Sequence, residues 1–153
     1  MAVEIERKFL VVGEAWRTHA SEGRRILQGY LCNGAAQVRV RLISDEAFLT
    51  VKGSREGISR SEFEYAIPAE DARAMLALCA HPPIDKTRYE VQHEGHVWEI
   101  DVYAGRHAGL VVAEIELDAV GEAFAAPDWI GHEVSADSRY SNAALAEHAA
   151  PHD

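Results

Sequence analysis

Residues 38–52 read VRVRLISDEAFLTVK. Val38, Val40 and Leu42 alternate with Arg39 and Arg41, and beyond Ser44-Asp45 the alternation resumes, with Leu49 and Val51 set against Thr50 and Lys52. A hydrophobic period of two belongs to a strand, and a two-residue polar break suits a tight hairpin. The stretch therefore predicts two antiparallel strands, Gln37 to Ile43 and Ala47 to Lys52, each with one apolar and one charged face.

The same pattern extends in both directions. Upstream, Glu4, Glu6 and Lys8 share one face of a strand from Val3 to Val11, and a further strand runs from Arg24 to Leu31, joined to the next through Asn33-Gly34. Downstream, Glu62 and Glu64 oppose Phe63 and Tyr65 in a strand from Arg60 to Ile67. Lys86 and Arg88 oppose Thr87 and Tyr89 in one from Asp85 to His93. After Glu94-Gly95, Glu99 and Asp101 oppose Trp98, Ile100 and Val102 between His96 and Tyr103, and Glu114 and Glu116 oppose Ala113, Ile115 and Leu117 between Leu110 and Leu117. Eight strands result. Helices are fewer. One begins at Pro68, buries Ala72, Met75, Leu76 and Cys79 on one face, carries Glu70 and Asp71 in its first turn and stops by Pro82-Pro83. Another is capped by Ser141 and runs through NAALAEHA, and a short one lies around Glu14 to Thr18; the terminal PHD is expected to fray.

A sandwich with solvated outer faces is the ordinary explanation for a single such strand. Seven in succession argue otherwise, because like charges at i and i+2 repel unless an opposite charge sits between them. Lysine placement sharpens the point: of 12 Arg and 3 Lys, all three lysines, Lys8, Lys52 and Lys86, fall on the charged strand faces. Closing the strands into a barrel solves both problems, since the apolar faces pack outward against helices and the charged faces line a wet interior. The expected fold is α+β, a closed eight-stranded antiparallel barrel in one domain over residues 1–153. Clustered carboxylates supply the hard oxygen ligands that Mg²⁺ or Mn²⁺ takes, and clustered Arg and Lys suit phosphate oxygens. The ligand this implies is a metal-bound polyphosphate.

Composition narrows the alternatives. With 15 basic against 25 acidic side chains and a formal charge of −10, a nonspecific grip on nucleic acid is not expected. No apolar run approaches the roughly 20 residues of a membrane span, so no membrane partner is expected either. The opening MAVEIERKFL lacks the form of a secretory signal, and two cysteines make no disulfide framework, which together predict a cytoplasmic protein. There is no Gly-rich phosphate loop of the GxxxxGK type, so side chains must bind the phosphates. His93 and His96 flank a hairpin turn as ordinary surface residues, and Cys32 and Cys79 read as structural.

Glu-x-Glu-x-Lys at residues 4–8, VRVRL, LTVKG, SEFEY, DKTRY, WEIDVY, AEIEL and the closing DSRYSN occur in that order, and together they resemble the CYTH domain of the triphosphate tunnel metalloenzyme superfamily. The compact form most resembles the bacterial inorganic triphosphatases. The resemblance implies a divalent-metal-dependent triphosphatase in which Lys8, Arg39, Arg41, Lys52, Lys86, Arg88 and Arg139 bind the triphosphate, Arg139 closing the tunnel mouth. It also implies that Glu4, Glu6, Glu114 and Glu116 hold the metal, with Glu62 and Glu64 near a second metal or the attacking water, and that Glu99 and Asp101 are ligands or orient the bases. Lys8, Tyr30 and Lys86 are the catalytic candidates, Tyr30 through a hydroxyl facing Lys8. Inorganic triphosphate is the first-choice substrate. A class IV adenylate cyclase, a thiamine triphosphatase and a non-catalytic polyphosphate- or nucleotide-binding module are the alternatives.

Overall fold

A computed structural model describes residues 3–151. Nine strands form: β1 (Val3–Val11), β2 (Arg24–Asn33), β3 (Gln37–Ile43), β4 (Glu46–Lys52), β5 (Ser59–Ile67), β6 (Ile84–His93), β7 (His96–Tyr103), β8 (Val111–Glu116) and β9 (Ile130–Glu133). The helices are α1 (Ala69–Leu76) and α2 (Asn142–Glu147), with a short 3₁₀ helix at Ala15–His19. Of the PHD terminus expected to fray, His152 and Asp153 lie outside the described residues.

Strand order is β5-β4-β3-β2-β6-β7-β8-β1, and β1 pairs back onto β5 through Val3↔Ser61, Glu4↔Arg60 and Ile5↔Ser59. All pairings are antiparallel, so the first eight strands close into the barrel that the charge pattern predicts. The hairpin signals held: Glu94 and Gly95 both take positive φ, 46° and 85°, as a turn matched to strand twist requires. β9 is an addition. It pairs with β1 at Phe9 and Val11, where β1 has already parted from β5.

Because charge points in, the apolar faces point out and need cover. On one side Phe9, Val91, Trp98, Ile100, Ala113 and Ile115 are buried beneath Trp16 and Trp129, which arrive on the 3₁₀ helix and on the loop before β9. On the other, α1 lays Ala72, Met75 and Leu76 over Val40, Leu42 and Ala47, and Cys79 from the turn after it joins them. Gly29 permits that approach, since a Cβ there would stand 2.8 Å from Cys79 Sγ. α1 ends at Leu76, well before Pro82-Pro83, and Leu78 is exposed; the turn at 77–80 tucks Cys79 back on the wall and breaks the helix earlier than the prolines require. α2 has a different task. Its Leu145 and Ala146 seat on Ile84, Tyr103, Val112, Leu10 and Tyr30, inward-facing residues at one end of the barrel, and so form an apolar floor.

Trp98 is fully buried in the larger outer cluster, with edge contacts to Phe9, Phe124 and Trp129. Trp98→Ala is expected to cost about 3–5 kcal/mol, read as a lower urea midpoint with an unchanged slope.

Candidate active site

Strand register brings the predicted residues together. Directly opposed on neighbouring strands are Lys8 and Glu114, Arg88 and Asp101, Lys52 and Glu62, Thr50 and Glu64, Gln28 and Arg41, and Tyr30 and Arg39. Glu4, Lys8, Arg39, Arg41, Lys52, Lys86, Asp101 and Glu114 are all buried. Glu64 and Glu116 share the inner register but are exposed, and Glu62 is half-buried, so these three stand where the lining meets solvent.

Most of the bases are neutralised by acids. Lys86 Nζ is 2.8 Å from Asp101, and Arg88 reaches the same carboxylate at 2.7 and 2.9 Å and Glu99 at 3.3 Å. Lys52 Nζ is 3.1 Å from Glu4 and 3.3 Å from Glu62, and Lys8 Nζ is 3.6 Å from Glu114 while donating to the Tyr140 carbonyl at 3.2 Å. Glu99 and Asp101 therefore hold Arg88 and Lys86 in place. Arg39 and Arg41 differ. Arg41 Nε donates to the Gln28 amide oxygen at 2.8 Å and Arg39 to the Thr50 hydroxyl at 3.2 Å, both neutral acceptors, and the buried Arg39 Nε has no hydrogen-bond partner. Among the described residues no carboxylate lies within 4.0 Å of either guanidinium.

These contacts set the protonation states. Burial by itself would raise Asp101 and Glu114, but Arg88 and Lys86 hold Asp101 far below the usual range, and Lys8 and Arg88 bring Glu114 to about 2. Burial pushes Lys86 down to about 7 against the pull of Asp101, with Arg88 and Arg41 pushing the same way as burial. Burial and then Arg39 and Arg88 push Arg41 down to about 10, still charged at neutral pH. Lys8 goes up despite burial because Glu114 and Glu6 surround it. Glu6 is raised well above the carboxylate range by burial and then by Glu114 and Glu4.

Carboxyl groups crowded against one another mark where a cation fits. Glu6 sits directly across from Glu116, two like charges in register that repel, and the buried Glu114 Oε1 accepts no hydrogen bond. Hard carboxylate oxygens, one of them without a hydrogen-bond donor, and a carboxyl raised by burial and by its acidic neighbours are a donor set that fits a divalent ion, which would favour the ionised form and relieve the repulsion. Among the described residues no three acidic, His or Cys side chains already converge on one point. Glu4 and Glu62 are occupied by Lys52.

The site opens through a cavity of about 1090 Å³ lined by Glu6, Lys8, Gln37, Arg60, Ser135 and Arg139, among others. Arg139 is exposed there and bonded to Asp137 at 3.0 and 2.8 Å. Tyr30 shares the inner face, and its hydroxyl accepts from Gln28 Nε2 at 3.3 Å. Residue-pattern reasoning overlooked Gln28, Arg60 and Asn142. Arg60 carried a signal, two residues before Glu62 on the same face. Asn142, which accepts from Tyr103 at 2.6 Å and from Lys86 at 3.4 Å, arrives from a distant helix and carried none.

A closed antiparallel barrel lined by opposed acid and base ladders defines a charged-tunnel protein. The chain belongs to the CYTH domain family, whose model matches residues 2–149. It is 48% identical over 147 residues to the inorganic triphosphatase of Acetivibrio thermocellus, covering 95% of this chain and 94% of that protein. It is 38% identical over 152 residues to the inorganic triphosphatase of Nitrosomonas europaea, covering 94% and 96%. The crystal structure of an inorganic triphosphatase, 32% identical, superposes with a TM-score of 0.67 over 97% of this chain and 100% of that one. A conserved hypothetical protein from Pyrococcus furiosus, 18% identical with a TM-score of 0.58 over 76% and 79%, shares the fold alone. Triphosphatases of this family are typically metal-dependent.

Glu114 supplies a pH test. Its folded value of about 2 lies below the ordinary 4.5, so the stability it contributes is complete above about pH 4.5 and is lost as pH falls toward 2. Glu114→Gln is expected to cost about 3 kcal/mol at pH 7, and the gap from the parent protein in urea melts is expected to shrink steadily below about pH 4.5.

Proposed function

We propose that this chain hydrolyses inorganic triphosphate to diphosphate and phosphate, the reaction carried in the names of both curated relatives. The observation that supports it most is the pair Arg39 and Arg41. A buried cation without a counter-charge is costly to hold, and two of them side by side, fixed by neutral acceptors, form a site that an anion of several charges completes. Arg guanidinium also matches phosphate oxygens in bidentate fashion.

Lys8, Lys52, Lys86, Arg88 and Arg139 extend the cationic surface along the substrate. Their acids hold them in position before it arrives. Lys86, at about 7, can take or give a proton near neutral pH and is the group suited to protonate the departing oxygen. Lys8, kept charged by Glu114 and Glu6, acts as a clamp, with the Tyr30 hydroxyl beside it as a further proton donor. Glu6, Glu114 and Glu116, with Glu4, Glu62 and Glu64 at the margins, would hold Mg²⁺ or Mn²⁺, which would supply charge against the phosphates and acidify a water. Water then attacks the terminal phosphorus in line, while the basic residues neutralise charge spreading over the phosphoryl oxygens. The two free cysteines suit a reducing compartment and a cytoplasmic setting.

With Mg²⁺ or Mn²⁺ present, ion-exchange analysis is expected to show phosphate and diphosphate released in equal amounts from inorganic triphosphate, and chelation is expected to abolish turnover. Cyclic AMP formed from ATP at a greater rate would overturn the assignment. Arg39→Ala and Arg41→Ala are expected to raise KM by about 10- to 100-fold, as the loss of charge-assisted hydrogen bonds to phosphate would. Glu114→Gln is expected to shift the metal dependence to higher concentration. Lys8→Met is expected to lower kcat/KM far more than Arg73→Met, which alters an exposed residue of α1; equal effects would remove Lys8 from the site.

A further inference from the structure

Gln28 is fully buried among charged groups yet carries none itself. Its amide orientation is determined, because a guanidinium only donates: the oxygen must face Arg41 Nε, at 2.8 Å, and the nitrogen must face the Tyr30 hydroxyl, at 3.3 Å. In register, Gln28 stands to Arg41 as Glu114 stands to Lys8, Asp101 to Arg88 and Glu62 to Lys52. Of the other two lining bases, Arg39 faces Tyr30 and Thr50 and Lys86 faces Ile26 and Tyr103, while three of the four partners Glu114, Asp101, Glu62 and Gln28 are acids. The fourth is an amide with the length and shape of a glutamate.

We propose that Gln28 is a positioning residue that holds Arg41 by its Nε edge through a neutral acceptor, so that the guanidinium's charge and its terminal nitrogens stay available to the phosphate oxygens of the substrate. An acid at this position would make the same hydrogen bond and pair with the charge, leaving the substrate to compete with a covalently tethered carboxylate for Arg41. The second bond, to Tyr30, prevents the amide from turning and presenting its nitrogens to a cation. It also uses a lone pair of the phenol oxygen, which leaves the phenol proton directed elsewhere. Thr50 stands in the same relation to Arg39: it is directly opposite, fully buried and neutral.

The inference rests on the triphosphatase reading, and the experiment separates the two. KM and kcat for inorganic triphosphate are measured with saturating Mg²⁺ for the parent chain, Gln28→Glu and Gln28→Met, each checked for folding by circular dichroism. If the parent chain neither turns over nor binds inorganic triphosphate, the assigned reaction fails, whatever the variants do. If it does turn over, Gln28→Glu is expected to raise KM about tenfold or more with a smaller change in kcat, and Gln28→Met, which loses the tether but leaves the charge, is expected to raise KM less. A role in packing or hydrogen bonding alone predicts the reverse order, because glutamate keeps the shape and the bond while methionine loses the bond. Equal or reversed KM values overturn the proposal. Should Gln28→Glu not fold, Gln28→Met decides alone: a KM within about fivefold of the parent supports a charge held in reserve, and a larger rise overturns it.

Discussion

Lys86 and Asp101 are both wholly removed from solvent and 2.8 Å apart, and neither could be buried as an ion without the other. That requirement, repeated along the lining, ties sequence, fold and site together. A charged strand face is turned inward at lowest cost where a neighbouring strand brings the opposite sign within reach, directly opposite as Arg88 meets Asp101 or diagonally as Lys86 does, so the acids of β1, β5, β7 and β8 and the bases of β1, β3, β4 and β6 meet at fixed heights. Closure of the barrel delivers that register. The apolar faces, displaced to the outside, then require covering by α1, the Trp16 segment and the loop carrying Phe124 and Trp129.

Charge balance inside is incomplete in two places, and both are informative. Among the described residues Arg39 and Arg41 hydrogen-bond through their side chains to Thr50 and Gln28, both uncharged. Glu6 and Glu116 oppose one another with no base between them. An excess of fixed positive charge and a separate excess of carboxyl oxygen are what a polyanion and its divalent counter-ion together would satisfy, and neither would be satisfied by the other protein groups without collapsing the tunnel. Glu6, raised by burial and by its acidic neighbours, and the Glu114 oxygen that accepts no hydrogen bond mark the second excess.

Much of this was legible in the residues. Alternation is a local signal, and β1, β3 and β7 begin and end where the pattern does; inner and outer faces follow at once from the period of two. The charged lining was legible for the same reason, since each Glu, Lys or Arg announces its face. What escaped notice was uncharged or remote. Gln28 looks like any polar strand residue until its register with Arg41 is known. Asn142 reaches Lys86 from 56 positions away in the chain, a contact created by α2 folding into the end of the barrel. β9 has only four residues and a glycine at its second position, too short for alternation to register. Gly131 is explained by the fold, because a Cβ there would lie 2.9 Å from Val12 Cγ2 and 3.0 Å from the Leu10 carbonyl. The early end of α1 reflects tertiary packing of Cys79, which outweighed the more distant proline stop.

The floor built by α2 has a consequence for how the tunnel is used. Leu145 and Ala146 pack on Ile84, Tyr103 and Val112, while Ala143, Ala144 and Glu147 of the same helix line the large cavity together with Arg60, Ser135 and Arg139, so α2 both floors the barrel and borders its opening. A polyanion entering there first meets exposed Arg139, which is already bonded to Asp137, and then the deeper groups. The lysines and Arg88 can bind phosphate only by loosening bonds to their own acids, so each such contact exchanges one ion pair for another and contributes a small net gain. Arg39 and Arg41 have no ion pair to give up. On the proposed function their contacts to phosphate would be net new, so Arg39 and Arg41 would contribute more to affinity than the three lining lysines. The paired bases suit the other requirement of the proposed reaction: held at fixed positions by Glu114, Asp101, Glu4 and Glu62, they would strengthen their contacts as charge builds on a transferring phosphoryl group, the kind of interaction that raises rate and leaves binding unchanged.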